Sequence, residues 1–127
     1  MINQAYAFVD ASMKKAPRYG VVLVLEISSD ERVKTEWSRS LHGVSTSHQA
    51  ELLACALAAE QIRESLPAEV PLMLFNDDQS IAAGYHSPFV PTLNAPYWER
   101  LRAIPNLDVK WLPRAYMTRA DELSKGG

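Results

Sequence analysis

Asp10, Glu51, Asp77 and Asp121 lie in four separate stretches of the chain, each beside a segment able to carry it to a common point. Asp10 ends the apolar run Ala5-Tyr6-Ala7-Phe8-Val9, and Asp77 ends the run through Leu72-Met73-Leu74-Phe75. Glu51 lies early in the helical stretch Ser47–Ser65, and Asp121 sits in Arg119-Ala120-Asp121-Glu122-Leu123 near the C-terminus. A carboxylate at the end of a buried strand is costly to ionise without a compensating charge. Hard divalent cations supply that charge and take oxygen ligands. The set therefore reads as a metal site, and such sites commonly hydrolyse phosphodiesters. Two Mg²⁺ ions (Mn²⁺ as the substitute) roughly 3.5–4 Å apart would activate a water and stabilise the leaving 3′ oxygen. A lone Asp at a strand end is more often a turn former, so the case rests on the four together. Asp78 is the rival of Asp77, but it suits a cap on the next helix through the Ser80 and Ile81 amides.

The elements that must position these side chains are legible in the apolar pattern. Residues 5–9 read as a strand, Pro17 and Gly20 as the bracket of a turn, and Val21–Leu25 as a strand buried on both faces. Ser28–Glu31 reads as a hairpin turn and Val33–Leu41 as a third strand, completing an antiparallel meander. Ser45-Thr46-Ser47 starts a helix with Glu51 in its first turn, where the helix dipole favours an acid. Leu52, Cys55, Ala59, Ile62 and Leu66 give that helix an inward stripe, and Pro67 ends it. Val70–Phe75 is a fourth strand, returned by the helix and so parallel to the first. Asp78–Tyr85 is a short helix closed by Gly84, His86–Ala95 a loop, and Tyr97–Ile104 a helix opened by Pro96. Asp108–Leu112 is a fifth strand, Pro113–Thr118 a connection, and Arg119–Lys125 a terminal helix. The expected fold is α/β: a five-stranded mixed sheet, three antiparallel strands then two parallel, flanked by helices. Trp37, Trp98 and Trp111 are expected in the core.

With 127 residues, 47% of them hydrophobic, the chain suits one domain, residues 1–127, with a real core. The longest apolar run, Gly20–Leu25, is too short to span a bilayer, and no basic-then-apolar N-terminus marks a secretory signal. No membrane partner is expected. The single Cys55 cannot form an internal disulfide, fits a reducing compartment such as the cytoplasm, and reads as core rather than nucleophile. A net charge of −2 argues against a free-standing nucleic-acid binder, though bound cations and local patches offset it. Two patches are basic: Lys14, Lys15 and Arg18, and then Lys110, Arg114, Arg119 and Lys125. Each is either solvated surface or a nucleic-acid contact.

Four short motifs, in order, resemble the type 1 ribonuclease H family. The family's first-strand TDGS or TDAS corresponds to Val9-Asp10-Ala11-Ser12, and its AEL helix to Ala50-Glu51-Leu52. Its TDSQ corresponds to Asn76-Asp77-Asp78-Gln79, and its WVPR…AD ending to Trp111-Leu112-Pro113-Arg114 with Ala120-Asp121. The flavour of Ser47–Cys55 and of the ending is similar to ribonuclease H domains of retroelement and pararetroviral polymerases, hepadnaviral ones included. The resemblance implies a ribonuclease H-like fold and cleavage of the RNA strand of RNA–DNA hybrids to 5′-phosphate and 3′-hydroxyl ends. It makes Asp10, Glu51, Asp77 and Asp121 both catalytic and metal-binding. It also implies an RNA–DNA hybrid as partner, with a reverse transcriptase domain in the same polyprotein as a further candidate.

By the same resemblance Ser12, Ser47, His48, Gln49 and Gln79 surround the path of the hybrid, where small polar groups can read the 2′-hydroxyl. Thr46 is the candidate contact to a DNA phosphate. For each, ordinary capping and turn chemistry is the plain alternative. Three departures stand out. The glycine-rich turn after the first strand is replaced by Met13–Tyr19, the segment His86–Asn94 is too short for a basic protrusion, and Pro113–Arg119 contains no histidine. The resemblance implies a catalytic-site histidine on a flexible loop before the last Asp; here its place falls to Arg114 or to no residue. Weak binding and slow turnover of the isolated domain follow, unless a polymerase domain supplies the grip. The chief alternative is a catalytically idle ribonuclease H-like interaction module. A 3′-to-5′ exonuclease would want an acid where Ser12 stands, and a transposase or integrase a later Glu. A small-molecule enzyme would want a glycine-rich phosphate loop, which the sequence lacks.

Overall fold

The computed structural model describes residues 1–126. Its centre is a five-stranded sheet of β1 (Gln4–Ser12), β2 (Arg18–Glu26), β3 (Arg32–Ser40), β4 (Leu72–Asn76) and β5 (Leu107–Trp111), in the order β3-β2-β1-β4-β5. β1–β2 and β2–β3 are antiparallel, while β1–β4 and β4–β5 are parallel, so the expected topology is the observed one. The helices are α1 (Ser47–Ser65), α2 (Gln79–Tyr85), α3 (Ala95–Arg102) and α4 (Thr118–Ser124). Among the described residues no helix is long and apolar enough to cross a membrane.

Side chains alternate across a strand, so β1 serves two cores. Ala5, Ala7 and Val9 pack in the larger cluster with Leu52, Ala54, Cys55, Ala58 and Ile62 of α1. Phe8 faces the other way, against a smaller cluster of Val22, Met117, Ala120 and Leu123 beneath α4. Small residues at Ala50, Ala54 and Ala58, all buried, let α1 lie close on the sheet. Thr46 caps α1, its Oγ1 accepting from the Gln49 amide at 3.1 Å, and the helix ends before Pro67.

Several local expectations are corrected. β1 runs past Val9 to Ser12, so Asp10 is inside the strand, paired with Gly20 of β2. Gly20 therefore brackets no turn. It is glycine because α4 crosses it: a Cβ there would strike the Leu123 side chain and lie 2.6 Å from the Ala120 carbonyl oxygen. β2 is buried through Tyr19–Leu23, but Val24 and Leu25 are half-exposed. The first turn of α1 holds no acid, since the cap is Thr46 and Glu51 lies beyond that turn. Gly84 lies within α2 rather than closing it, and the Trp98 ring packs where a Cβ would be. α3 starts at Ala95, after Asn94 at φ 62°. Trp98 is core, but Trp37 is half-buried, with Nε1 donating to Gln61 Oε1 at 3.1 Å. Trp111 is 41% exposed at the end of edge strand β5, and its Nε1 donates to the Asp77 carbonyl at 3.2 Å.

Candidate active site

Parallel pairing of β1 with β4 brings Phe8 level with Phe75, so Asp10 and Asp77 emerge side by side at the same end of the sheet. α1 delivers Glu51 to that end. One carboxylate oxygen from each of Asp10, Glu51 and Asp77 falls within 4.8 Å of the others. Asp10 is 3% exposed, and the Asp77 side chain 4%. Asp121 reaches the cluster from α4 on the opposite face. It lies outside the tight trio but within hydrogen-bonding reach of the Asp10 carboxyl. Asp10 is thus central, adjoining all three other acids. A cleft of about 400 Å³ opens over the group, lined by Ala11, Ser12, Ser47, Glu51, Arg114 and Asp121 among others.

Backbone and amide groups fix the inner pair. The Ala11 amide donates to Asp10 Oδ1 at 3.0 Å and to Glu51 Oε1 at 2.9 Å. Asn76, 1% exposed, donates through Nδ2 to the Val9 carbonyl at 2.8 Å and to Glu51 Oε1 at 3.2 Å. Its Oδ1 accepts from the Asp78 amide at 2.9 Å. One side chain therefore ties β1, α1 and the turn after β4 together. Its role was not foreseen from sequence, although a lone polar residue closing an apolar strand was the available signal.

Burial and like charge decide the protonation of this cluster. Burial, then the Asp77 charge, pushes the Asp10 carboxyl up to about 7. Burial, then the Asp10 charge, pushes Glu51 up to about 9. The outer acids are held by cations instead. Arg114 Nε lies 3.1 Å from Asp77 Oδ2, and Lys125 Nζ lies 2.9 Å from Asp121 Oδ2. Burial opposes ionisation of Asp121, but its bonds to Lys125 and Asp10 outweigh that and hold it below the usual carboxylate range. Cys55 is fully buried, and burial pushes its thiol well up, so it is inert core.

The other sequence-predicted positions border this site. Ser12 lines the cleft and its Oγ accepts from the Lys14 amide at 3.3 Å. Ser47 lines the cleft from the start of α1. Thr46 is engaged as the helix cap. Gln49 accepts from the Ser45 amide at 2.8 Å and donates to Asn94 Oδ1 at 3.0 Å. His48 Nδ1 lies 3.1 Å from Ser80 Oγ and 3.5 Å from Asp78 Oδ2. Asp78 caps α2 as expected, accepting from the Ser80 amide at 2.9 Å, and Gln79 beside it is exposed. Arg114 stands on a short 3₁₀ turn, Arg114–Tyr116.

No family model and no curated protein matches the sequence. Solved structures do. Ribonuclease H1 from the halophilic archaeon Halobacterium salinarum NRC-1 is 21% identical, with 95% of this chain and 94% of that one covered at a TM-score of 0.70. LC11-ribonuclease H1, solved in complex with an RNA/DNA hybrid, is also 21% identical, with 98% and 96% covered at 0.68. A foamy viral protease–reverse transcriptase, likewise solved with an RNA/DNA hybrid, is 17% identical and covers 97% of this chain at 0.69; the match takes up 19% of that longer chain. The chain therefore has the ribonuclease H fold.

Proposed function

We propose that the chain is a metal-dependent endonuclease that hydrolyses the RNA strand of RNA–DNA hybrids. The carrying observation is the convergence of Asp10, Glu51 and Asp77 within 4.8 Å, with Asp121 alongside. Three largely buried carboxylates this close repel one another unless protonated or bridged by cations. Their all-oxygen donor set fits Mg²⁺ or Mn²⁺. Asp10, Glu51, Asp77 and Asp121 are the residues that would hold the ions. When bound, such a pair supplies a nucleophilic water and neutralises charge on the leaving oxygen.

The remaining chemistry belongs to the chain. Asn76 and the Ala11 amide fix Glu51 before substrate arrives, which is preorganisation of the charge that the transition state needs. Arg114, whose side chain is 83% exposed, pairs with Asp77 at the cleft's rim and can reach toward phosphate. Ser12, Ser47, Gln49 and Gln79, with His48, are the polar groups available to the 2′-hydroxyl side of a hybrid, and Thr46 to a DNA phosphate. Two of the similar structures hold an RNA/DNA hybrid, and one belongs to a protease–reverse transcriptase, which supports the hybrid as substrate and a polymerase domain as companion.

A labelled RNA–DNA hybrid, with duplex DNA, duplex RNA and single-stranded RNA as controls, tests the reading. The RNA strand of the hybrid alone should be cut, to 5′-phosphate and 3′-hydroxyl ends, with Mg²⁺ or Mn²⁺ and not with EDTA. Asp77→Asn should lower the rate by ~100-fold or more while the protein stays folded. A folded wild-type chain that leaves the hybrid intact would make it an idle module of the same fold.

A further inference from the structure

Beside the carboxylate cleft lies a second cavity, of about 320 Å³, between the β1–β2 turn and the C-terminal end of α4. Ser12, Lys14, Lys15, Arg18, Ser124 and Lys125 line it, and Ser12, Lys14 and Lys125 also line the carboxylate cleft. The two cavities therefore share three of their lining residues. Most cations elsewhere in the chain are already engaged. Arg32, Lys34, Arg100, Arg114, Arg119 and Lys125 face carboxylates. Arg63 and Arg102 donate to backbone carbonyls. Lys14, Lys15 and Arg18 have no acidic partner among the described residues. Arg18 is held only by the neutral hydroxyls of Ser38 and Ser40, at 3.2 and 3.3 Å, so its direction is fixed and its charge uncompensated.

We infer that this groove is a phosphate subsite that grips the backbone of the cleaved strand next to the scissile position. The inference rests on the nuclease reading. A nucleic-acid strand carries a charge about every 3.4 Å of helix axis, so a strand seated over the carboxylates lays its neighbouring phosphates on the adjoining walls. The carboxylate cleft by itself repels those phosphates, and three uncompensated cations at its border offset that repulsion. Lysines on flexible stems suit sequence-independent phosphate contact rather than base reading. The groove also answers a deficit elsewhere, because the exposed loop from Ser87 to Asn94 carries no lysine or arginine to hold a duplex.

Steady-state hybrid cleavage by wild type, Lys15→Ala, Lys14→Ala/Lys15→Ala and Lys15→Arg, over a series of salt concentrations, tests this. Each lysine removed should raise KM by about threefold and flatten the slope of log KM against log salt by about one. Lys15→Ala should change kcat by less than about twofold, because a backbone grip is uniform binding rather than transition-state stabilisation. Lys15→Arg should retain the wild-type KM, and melting temperatures should stay level across the set. Active variants with unchanged KM and salt slope would overturn the groove and leave the nuclease reading intact. If wild type does not cleave, that reading falls. The groove is then judged by fluorescence anisotropy of hybrid binding without metal, where an affinity untouched by the double substitution overturns it too.

Discussion

Asp10→Asn separates the electrostatics of the site from its catalysis. Burial and the Asp77 charge raise the Asp10 carboxyl from 3.8 to about 7, so the folded protein holds a proton there that the unfolded chain releases. Ionisation of such a group opposes folding. The loss of stability begins as pH climbs past the unfolded value near 4 and is complete above about 7. The whole rise corresponds to ~4 kcal/mol, an upper bound because Asp10 and Glu51 titrate as a pair. Glu51, raised to about 9 partly by the Asp10 charge, extends the pH range upward. Asn resembles the protonated carboxyl in shape and removes both the Asp10 charge and its effect on Glu51. In EDTA, variant and wild type should unfold in urea with similar free energies near pH ~4.5, and the variant should be ~2–4 kcal/mol more stable near pH ~9. Mg²⁺ should then close the gap from the wild-type side, because a ligand that binds only the native state stabilises it. A difference between the two proteins that stays flat across this pH range would refute the burial-and-repulsion argument, whatever happened to cleavage.

Two further substitutions probe how the site is held. Gly20→Ala should push α4 off the sheet, since a Cβ there meets the Leu123 side chain and the Ala120 carbonyl. A loss of ~1–3 kcal/mol in thermal unfolding is expected, with a fall in cleavage because Asp121 rides on α4. Arg114→Ala leaves the Asp77 carboxylate, 4% exposed, without its cation, so a loss of ~1–3 kcal/mol in thermal unfolding without metal is expected. Mg²⁺ titration of its cleavage activity should half-saturate at a lower concentration than wild type, because no side-chain cation then competes for Asp77.

The arrangement of strands was legible because periodicity in this chain is strong where burial is strong. Val21–Leu25 and Val70–Phe75 read as strands, and the helix between the third and fourth strands makes β4 parallel to β1. That single consequence already placed Asp10 beside Asp77. What stayed hidden was set by contacts between segments distant in sequence. Gly20 looks like a turn residue until α4 is laid across it, and Gly84 looks like a helix stop until Trp98 is packed on it. Trp111 reads as core by type, yet β5 is an edge strand and its ring borders the turn that carries Asp77. Asn76 showed in sequence only as a lone polar residue closing an apolar strand. Its three bonds reach β1, α1 and the turn after its own strand, and local sequence carries no trace of the first two.

The C-terminal segment makes the four acids tolerable together. A chain of net charge −2 gathers four carboxylates at one sheet end, with the central one almost wholly buried. Arg114 and Lys125 neutralise the two outer acids, Asp77 and Asp121. The inner acids, Asp10 and Glu51, have no cation of their own and keep protons up to about pH 7 and 9. Without metal the cluster therefore balances its charge with two side-chain cations and up to two protons. Under the proposed function, divalent ions held by these carboxylates would compete with both kinds of partner, so metal affinity would be linked to proton release at the inner pair. Arg114 and Lys125 both line the cleft, so under the proposed function a side chain displaced from its carboxylate would lie close to the phosphates of a bound strand.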